Sequence, residues 1–180
     1  QIISIDLPGH GERKGEKDTF YPWVAVPELK TVAEYAKEKW KHLSLRATSI
    51  GVWFSMLALQ NEAFEKCLFV SPILNMERLI ENMMLWAGVS EEELEQKGEI
   101  ETAFGETLSW KYYQFAKENR IQRWSFPTEI LYVENDNLTE FDVAKSFSEK
   151  FGCRLTVMEN GEHWFHTDEQ LAFLKAWEQN

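Results

Sequence analysis

No apolar run in this chain approaches the roughly 20 residues needed to span a bilayer, and no signal-peptide pattern opens it. Cysteine is scarce. Cys67 and Cys153 stand alone, each in or beside an apolar stretch (Cys67-Leu-Phe-Val and Cys153-Arg-Leu-Thr-Val), without a metal-type spacing. They read as buried thiols rather than a disulfide, which fits a cytoplasmic protein. Basic residues are also few, with 19 Lys and Arg against 30 Asp and Glu and a formal net charge of −11. An acidic surface repels phosphate backbones and anionic lipid, so neither nucleic acid nor membrane is an expected partner. There are no internal repeats and no low-complexity segments. An initiating Met is missing too: residue 1 is Gln, and the chain opens as if in mid-strand, so the expectation is that a further segment precedes it.

What remains is an ordinary globular composition, 44% hydrophobic and 27% charged. Eight Trp and twelve Phe favour an apolar ligand pocket, although a core of large residues would use them equally well. Short β-branched or apolar runs at Ile2–Ile5, Leu43–Thr48, Lys66–Val70, Thr128–Val133 and Arg154–Met158 read as strands. Between them lie helical patterns. Pro27 suits the first turn of a helix over about 27–41, with Leu29, Val32, Ala33, Ala36 and Trp40 at helical spacing. Ile50 to Ala63 reads as a buried helix. About 140–151 carries Phe141, Ala144, Phe147 and Phe151 at intervals of three and four. Thr167-Asp168-Glu169-Gln170 opens a last helix with a capping box, and Leu171, Leu174 and Trp177 line one side of it. Residues 75–125 contain helical patterns and no strand-like run; there Ser90-Glu91-Glu92-Glu93 has the form of another capping box, within the most acidic stretch of the chain. That stretch reads as a solvated helix face rather than a cation site. Strands alternating with helices imply an α/β fold, a mostly parallel sheet with helices on both faces.

The chemistry concentrates at Ala47-Thr48-Ser49-Ile50-Gly51. A serine on a tight strand-to-helix turn is lifted out of the sheet, and small residues two before and two after it relieve crowding there. A plain helix N-cap is the alternative for Ser49, and an ordinary turn is the alternative for Asp136 in Asn135-Asp136-Asn137.

Four segments together resemble the α/β-hydrolase fold of serine hydrolases, the esterase- and lipase-like superfamily. Asp6-Leu7-Pro8-Gly9-His10-Gly11 is similar to the loop after that family's fourth strand. Ala47–Gly51 is similar to its nucleophile turn, Leu131–Asp136 to its seventh strand ending in the acid, and Asn160-Gly161-Glu162-His163 to the loop that delivers its histidine. The order Ser, Asp, His is the family's order. The resemblance implies a catalytic triad of Ser49 as nucleophile, His163 as base and Asp136 as the acid that orients it. It implies half of an oxyanion hole from the backbone N–H of Ile50. His166 competes with His163, and the approach from Gly161 favours His163. His10 is expected to shape its loop, and His42 to lie at the surface near the end of its helix.

On this likeness the core comprises residues 1–72 and 127–180, and residues 73–126 are a helical cap insertion. Met83, Met84, Leu85, Trp86, Trp110, Tyr112, Tyr113 and Phe115 are available there, and Trp86, Trp110 and Tyr113 are the expected substrate contacts, although most such residues pack a cap's own helices. The expected activity is cleavage of a carboxylic ester or related acyl bond of a small, apolar molecule, without cofactor or metal. The chain departs from the pattern in two ways. It lacks the family's first three strands and the loop that donates the second oxyanion N–H. A preceding segment, a rearrangement or a homodimer would have to cover the gap, and loss of that donor would cost roughly 10²–10³ in turnover. Beyond the serine it has Gly51-Val52-Trp53 where many relatives have Gly-Gly. These departures leave a catalytically impaired binding protein as the alternative.

Overall fold

A computed structural model describes residues 1–179. In chain order, a 3₁₀ stretch at Gly11–Thr19 is followed by α1 (Pro22–Lys39), β1 (Ser44–Thr48), α2 (Ile50–Leu59), β2 (Lys66–Val70), α3 (Met76–Ala87), α4 (Glu91–Lys97), β3 (Glu99–Glu101), β4 (Thr107–Ser109), α5 (Trp110–Glu118), β5 (Thr128–Asn135), α6 (Phe141–Phe151), β6 (Arg154–Glu162) and α7 (Asp168–Glu178). The contacts divide this chain into two units.

The first unit comprises Gln1–Ile3, Val26–Leu74 and the chain from Arg123 onward. It holds a parallel sheet in the order β1-β2-β5-β6. Alternation along the strands gives the sheet two apolar faces. Leu68 and Val70 of β2 share one face with Leu131, Val133 and Met158, and α7 covers that face with Leu174 and Trp177. Leu45 of β1 points to the other, where Ala33 and Leu29 of α1 and Ala58 and Leu59 of α2 pack. Because α2 is apolar nearly all round, it is buried: Val52, Trp53, Phe54 and Met56 are each at most 2% exposed. The bulky Val52 and Trp53 that depart from the Gly-Gly pattern are thus core residues.

The second unit comprises Ser4–Ala25 and Asn75–Gln122. Residues 4–25 group with the helical stretch because Tyr21 and Trp23 stack on each other and meet Tyr112 edge-on, with Trp23 also meeting Phe115. The Asp6–Gly11 loop has a clear physical logic. The Asp6 carboxylate accepts the Glu12 N–H at 2.9 Å, and a Cβ on Gly11 would fall 2.2 Å from that carboxylate. Gly11 also has φ +51, so the motif requires glycine twice over at that position.

Several expectations need correcting. Ile2–Ile5 is not a strand: the segment has no ladder partner, and Ile2, Ile3 and Ile5 are 97%, 42% and 37% exposed. A β-branched run becomes a strand only where a neighbour takes its N–H and C=O groups. The first helix starts at Pro22 rather than Pro27, which therefore lies inside it. Residues 75–125 do contain strands, the antiparallel pair β3 and β4. Leu171 is 48% exposed, so only Leu174 and Trp177 of the three expected residues pack inward. At Ser90 the hydroxyl caps the Glu93 N–H at 3.1 Å, but the Glu93 carboxylate pairs with Lys97 at 2.6 Å rather than returning to the cap.

Candidate active site

Ser49 closes β1 and precedes α2. It sits at the N-cap position, yet its hydroxyl makes no cap bond. Its backbone is instead pinned from the neighbouring strand. The Ser49 N–H donates to the Val70 carbonyl at 3.0 Å, and its own carbonyl accepts from Val52 and Ile73 at 3.0 and 3.1 Å. The result is φ 52, ψ −129, a conformation that costs a side-chain-bearing residue on the order of 1–3 kcal/mol. Ala47 is 8% exposed two residues before it, where a small side chain fits. Gly51 is different: a Cβ built there meets no heavy atom within 4 Å, so the crowding expected on that side is absent.

Asp136 follows β5, where the β5–β6 ladder shifts register between Val133 and Asn135. Its carboxylate closes a turn: Oδ1 accepts the N–H groups of Leu138 and Thr139 at 2.8 and 3.0 Å. The turn and the site are thus one structure. The same carboxylate faces His163 Nδ1, at 3.0 Å from Oδ1 and 2.9 Å from Oδ2. His163 follows β6 directly and is 4% exposed. Its Nε2 lies 2.8 Å from Ser49 Oγ.

A carboxylate only accepts, so the shared proton sits on Nδ1 and donates to Asp136; Nε2 is left to accept from the Ser49 hydroxyl. An imidazole held this way can take a proton from Ser49 and develop charge beside a buried carboxylate, with side chains 2% and 0% exposed for His163 and Asp136. The Ile50 N–H, first in α2, is among the four N–H groups that a helix leaves without an intrahelical acceptor. Among the described residues, every non-glycine at positive φ adjoins this site: Ser49 itself, Ser71 just past β2, and Asn160 three residues before His163. Strain gathers where surrounding structure over-determines it.

Further contacts position the loops and have no motif of their own. The Glu134 carboxylate accepts the Asn160 N–H at 2.7 Å, joining the acid and histidine loops. Gly161 is tight, since a Cβ there would lie 3.0 Å from Val133 Cγ1 and 3.2 Å from Met158 Cγ. Thr139 is buried and bonds to Pro72 and Tyr132. Burial, with the Asp136 and Glu140 carboxylates nearby, pushes the Tyr132 phenol up to about 12. An Asx-type reading of Asp136-Asn137-Leu138-Thr139 could have found the turn, but not its long-range partner.

The other candidates lie elsewhere. His166 bonds through Nδ1 to the Trp164 carbonyl at 2.8 Å and is solvent-exposed. His10 Nδ1 donates to the Pro8 carbonyl at 3.0 Å, within its own loop. His42 is exposed and pairs with Glu65. Trp86, Trp110 and Tyr113 belong to the second unit. Trp86 is 51% exposed and meets Phe104. Trp110 packs on Tyr113, which is buried with its hydroxyl donating to Glu81 at 3.3 Å and Glu91 at 3.5 Å. Sequence reasoning passed over Trp164. Its ring meets that of His163 edge-on at 5.6 Å and is 71% exposed. Among the described residues, no group of His, Cys, Asp and Glu is placed to hold a metal ion, and no helix is long and apolar enough to cross a membrane. A cavity of about 230 Å³ lined by Glu129, Arg154, Thr156 and Trp177 opens at the start of β5 and β6, the opposite strand ends from Asp136 and His163.

A parallel sheet with Ser, Asp and His at its carboxyl edge, in that chain order, is the architecture of the α/β-hydrolase fold, and solved structures show that this chain has it. Est1E from Butyrivibrio proteoclasticus, solved with ferulic acid bound, matches 97% of this chain and 73% of its own at 18% identity, with a TM-score of 0.75. Alpha/beta hydrolase domain-containing protein 10 from mouse matches 84% of this chain and 66% of its own, at 14% identity and a TM-score of 0.65. The Pyrococcus furiosus esterase PF2001 matches 86% and 58%, at 13% identity and a TM-score of 0.57. No family model matches the chain, and no curated protein does either.

Proposed function

We propose that this protein is a serine hydrolase that cleaves a carboxylic ester, or a related acyl bond, of a small apolar substrate through an acyl-Ser49 intermediate. The observation that carries the reading is the unbroken line from Ser49 Oγ to His163 Nε2 at 2.8 Å and from His163 Nδ1 to Asp136 at 2.9 Å. In this reading Ser49 Oγ attacks the carbonyl carbon while His163 takes its proton. The carbonyl oxygen becomes an oxyanion next to the Ile50 N–H. As the tetrahedral species collapses, the imidazolium gives its proton to the departing alkoxide and the acyl group stays on Ser49. Water then repeats the sequence, releasing the acid. The Asp136 carboxylate, accepting from His163 Nδ1, stabilises the imidazolium. The exposed Trp164 ring beside His163 supports an apolar or planar group in the substrate. Est1E, which resembles this chain in fold, was solved with an aromatic acid bound, and PF2001 is an esterase.

The rival reading, a binding protein that keeps the site without turnover, draws on the single oxyanion donor identified. A fluorophosphonate probe separates the two. The proposed enzyme is labelled on Ser49, and Ser49→Ala is not labelled. Hydrolysis of chromogenic esters falls by on the order of 10⁴-fold or more in His163→Ala. A protein that takes no label and hydrolyses no ester in a panel of increasing acyl length is not this enzyme.

A further inference from the structure

Resting on that reading, we propose that Thr139 is a positioning residue that locks the Asp136 loop to the Ser49 turn, so that acid and nucleophile are held by one closed circuit of hydrogen bonds. Thr139 is 3% exposed and uses all its polar groups. Its N–H donates to Asp136 Oδ1 at 3.0 Å, its hydroxyl donates to the Pro72 carbonyl at 3.0 Å, and its carbonyl accepts the Tyr132 hydroxyl at 3.0 Å. Pro72 belongs to the turn that receives the nucleophile. On one side of it the Ser71 N–H donates to Leu131 at 2.9 Å; on the other the Ile73 N–H donates to the Ser49 carbonyl at 3.1 Å. The circuit therefore runs Ser49, Ile73, Pro72, Thr139, Asp136, His163 and back to Ser49.

The turn it crosses is not a relaxed one. Ser71 is fully buried at φ 42, and its hydroxyl has no hydrogen-bond partner. A strained turn keeps its shape only while its neighbours hold it. The Thr139 hydroxyl is a side-chain group that ties the acid loop directly to this turn. Without it, Asp136 Oδ1 keeps its two backbone donors, but the loop that presents them is free to shift against Ser49. Small displacements of a group that orients a catalytic side chain cost roughly 10- to 100-fold in rate.

The test compares Thr139→Val, which keeps the shape and loses the donor, with Thr139→Ser, which restores it. For ester turnover, Thr139→Val lowers kcat roughly 10- to 100-fold with KM within about twofold, and Thr139→Ser stays within about threefold of the parent. A readout independent of turnover is the downfield imidazole Nδ1 proton in the NMR spectrum, assigned by its loss in His163→Gln. It shifts or disappears in Thr139→Val and persists in Thr139→Ser. If Thr139→Val does not fold, Tyr132→Phe removes the strut on the Thr139 carbonyl and must move both readouts in the same direction. An unchanged Nδ1 proton and kcat in folded Thr139→Val overturn the proposal, as does a Thr139→Ser that falls as far. Failure of the hydrolase reading looks different: the parent takes no fluorophosphonate, while the proton signal still reports the circuit.

Discussion

A methyl group added at Gly161 would press on Val133 at 3.0 Å and Met158 at 3.2 Å, both buried side chains of the sheet. Gly161→Ala should therefore destabilise the protein by about 1–3 kcal/mol, the usual cost of overpacking. It should also lower turnover more than binding, because His163 lies two residues on. The denaturation midpoint at constant m-value, read beside kcat and KM, checks this. Gly51→Ala should do the reverse. With no heavy atom within 4 Å of the added Cβ and a helical backbone, it should be neutral or stabilising by up to about 1 kcal/mol. A large loss there would mean that the turn after Ser49 is crowded after all. These two glycines show what was legible residue by residue. Ser49, Asp136 and His163 could be picked out because each ends a strand-like run in a short local pattern. The tightness at Gly161, the Glu134–Asn160 bond and the Thr139–Pro72 bond all arise between segments distant in sequence, which no local pattern encodes.

Helix α7 carries a complete capping box. The Thr167 hydroxyl accepts the Gln170 N–H at 3.2 Å while the Gln170 side chain returns to the Thr167 N–H. Gln170 also accepts the His166 N–H at 3.0 Å, so the box anchors the segment just after His163. Thr167→Ala should cost about 1 kcal/mol. In α4, Glu93→Ala should cost only about 0.3–0.5 kcal/mol, because its carboxylate serves an exposed pair with Lys97 and not the cap. Equal losses in the two variants would contradict this difference. Both sites have the same sequence form, so their divergence comes from what else is within reach of the third residue. Reach also explains the uneven legibility of elements. β2 spans the residues its apolar run predicted because it is paired on both sides. Ile2–Ile5 has an equally β-prone composition and no partner, so it joins no sheet and its isoleucines stay exposed. The three-residue strands β3 and β4 are too short to show a period at all.

For the molecule as a whole, the strongest electrostatic consequence lies on the alkaline side. Burial, before any other cause, pushes the Cys67 thiol from 9.0 up to about 12 and the Cys153 thiol from 9.0 up to about 11. It likewise raises the Tyr132 and Tyr113 phenols from 10.0 to about 12, with nearby carboxylates adding to it. In each case the folded state holds its proton more tightly than the unfolded one. The resulting stability is complete below about pH 9, where both states are protonated. It is then lost as pH climbs from the unfolded values toward the folded ones. Above about pH 9 the unfolded chain sheds thiol protons that the folded chain keeps, at up to about 1.4 kcal/mol per pH unit for the buried Cys67 and less for the half-buried Cys153, where solvent screens the effect. The net charge of −11 grows more negative over the same range, so self-repulsion acts in the same direction. The expected outcome is a urea midpoint that is nearly level from about pH 7 to 9 and falls steeply beyond, measured in reductant. Cys67→Val removes the most strongly shifted thiol while keeping a β-branched, apolar residue in β2, and it should flatten the fall. A midpoint that holds level to about pH 11, or a Cys67→Val curve with the parent's slope, would mean that these thiols and phenols reach solvent and titrate as they do in the unfolded chain.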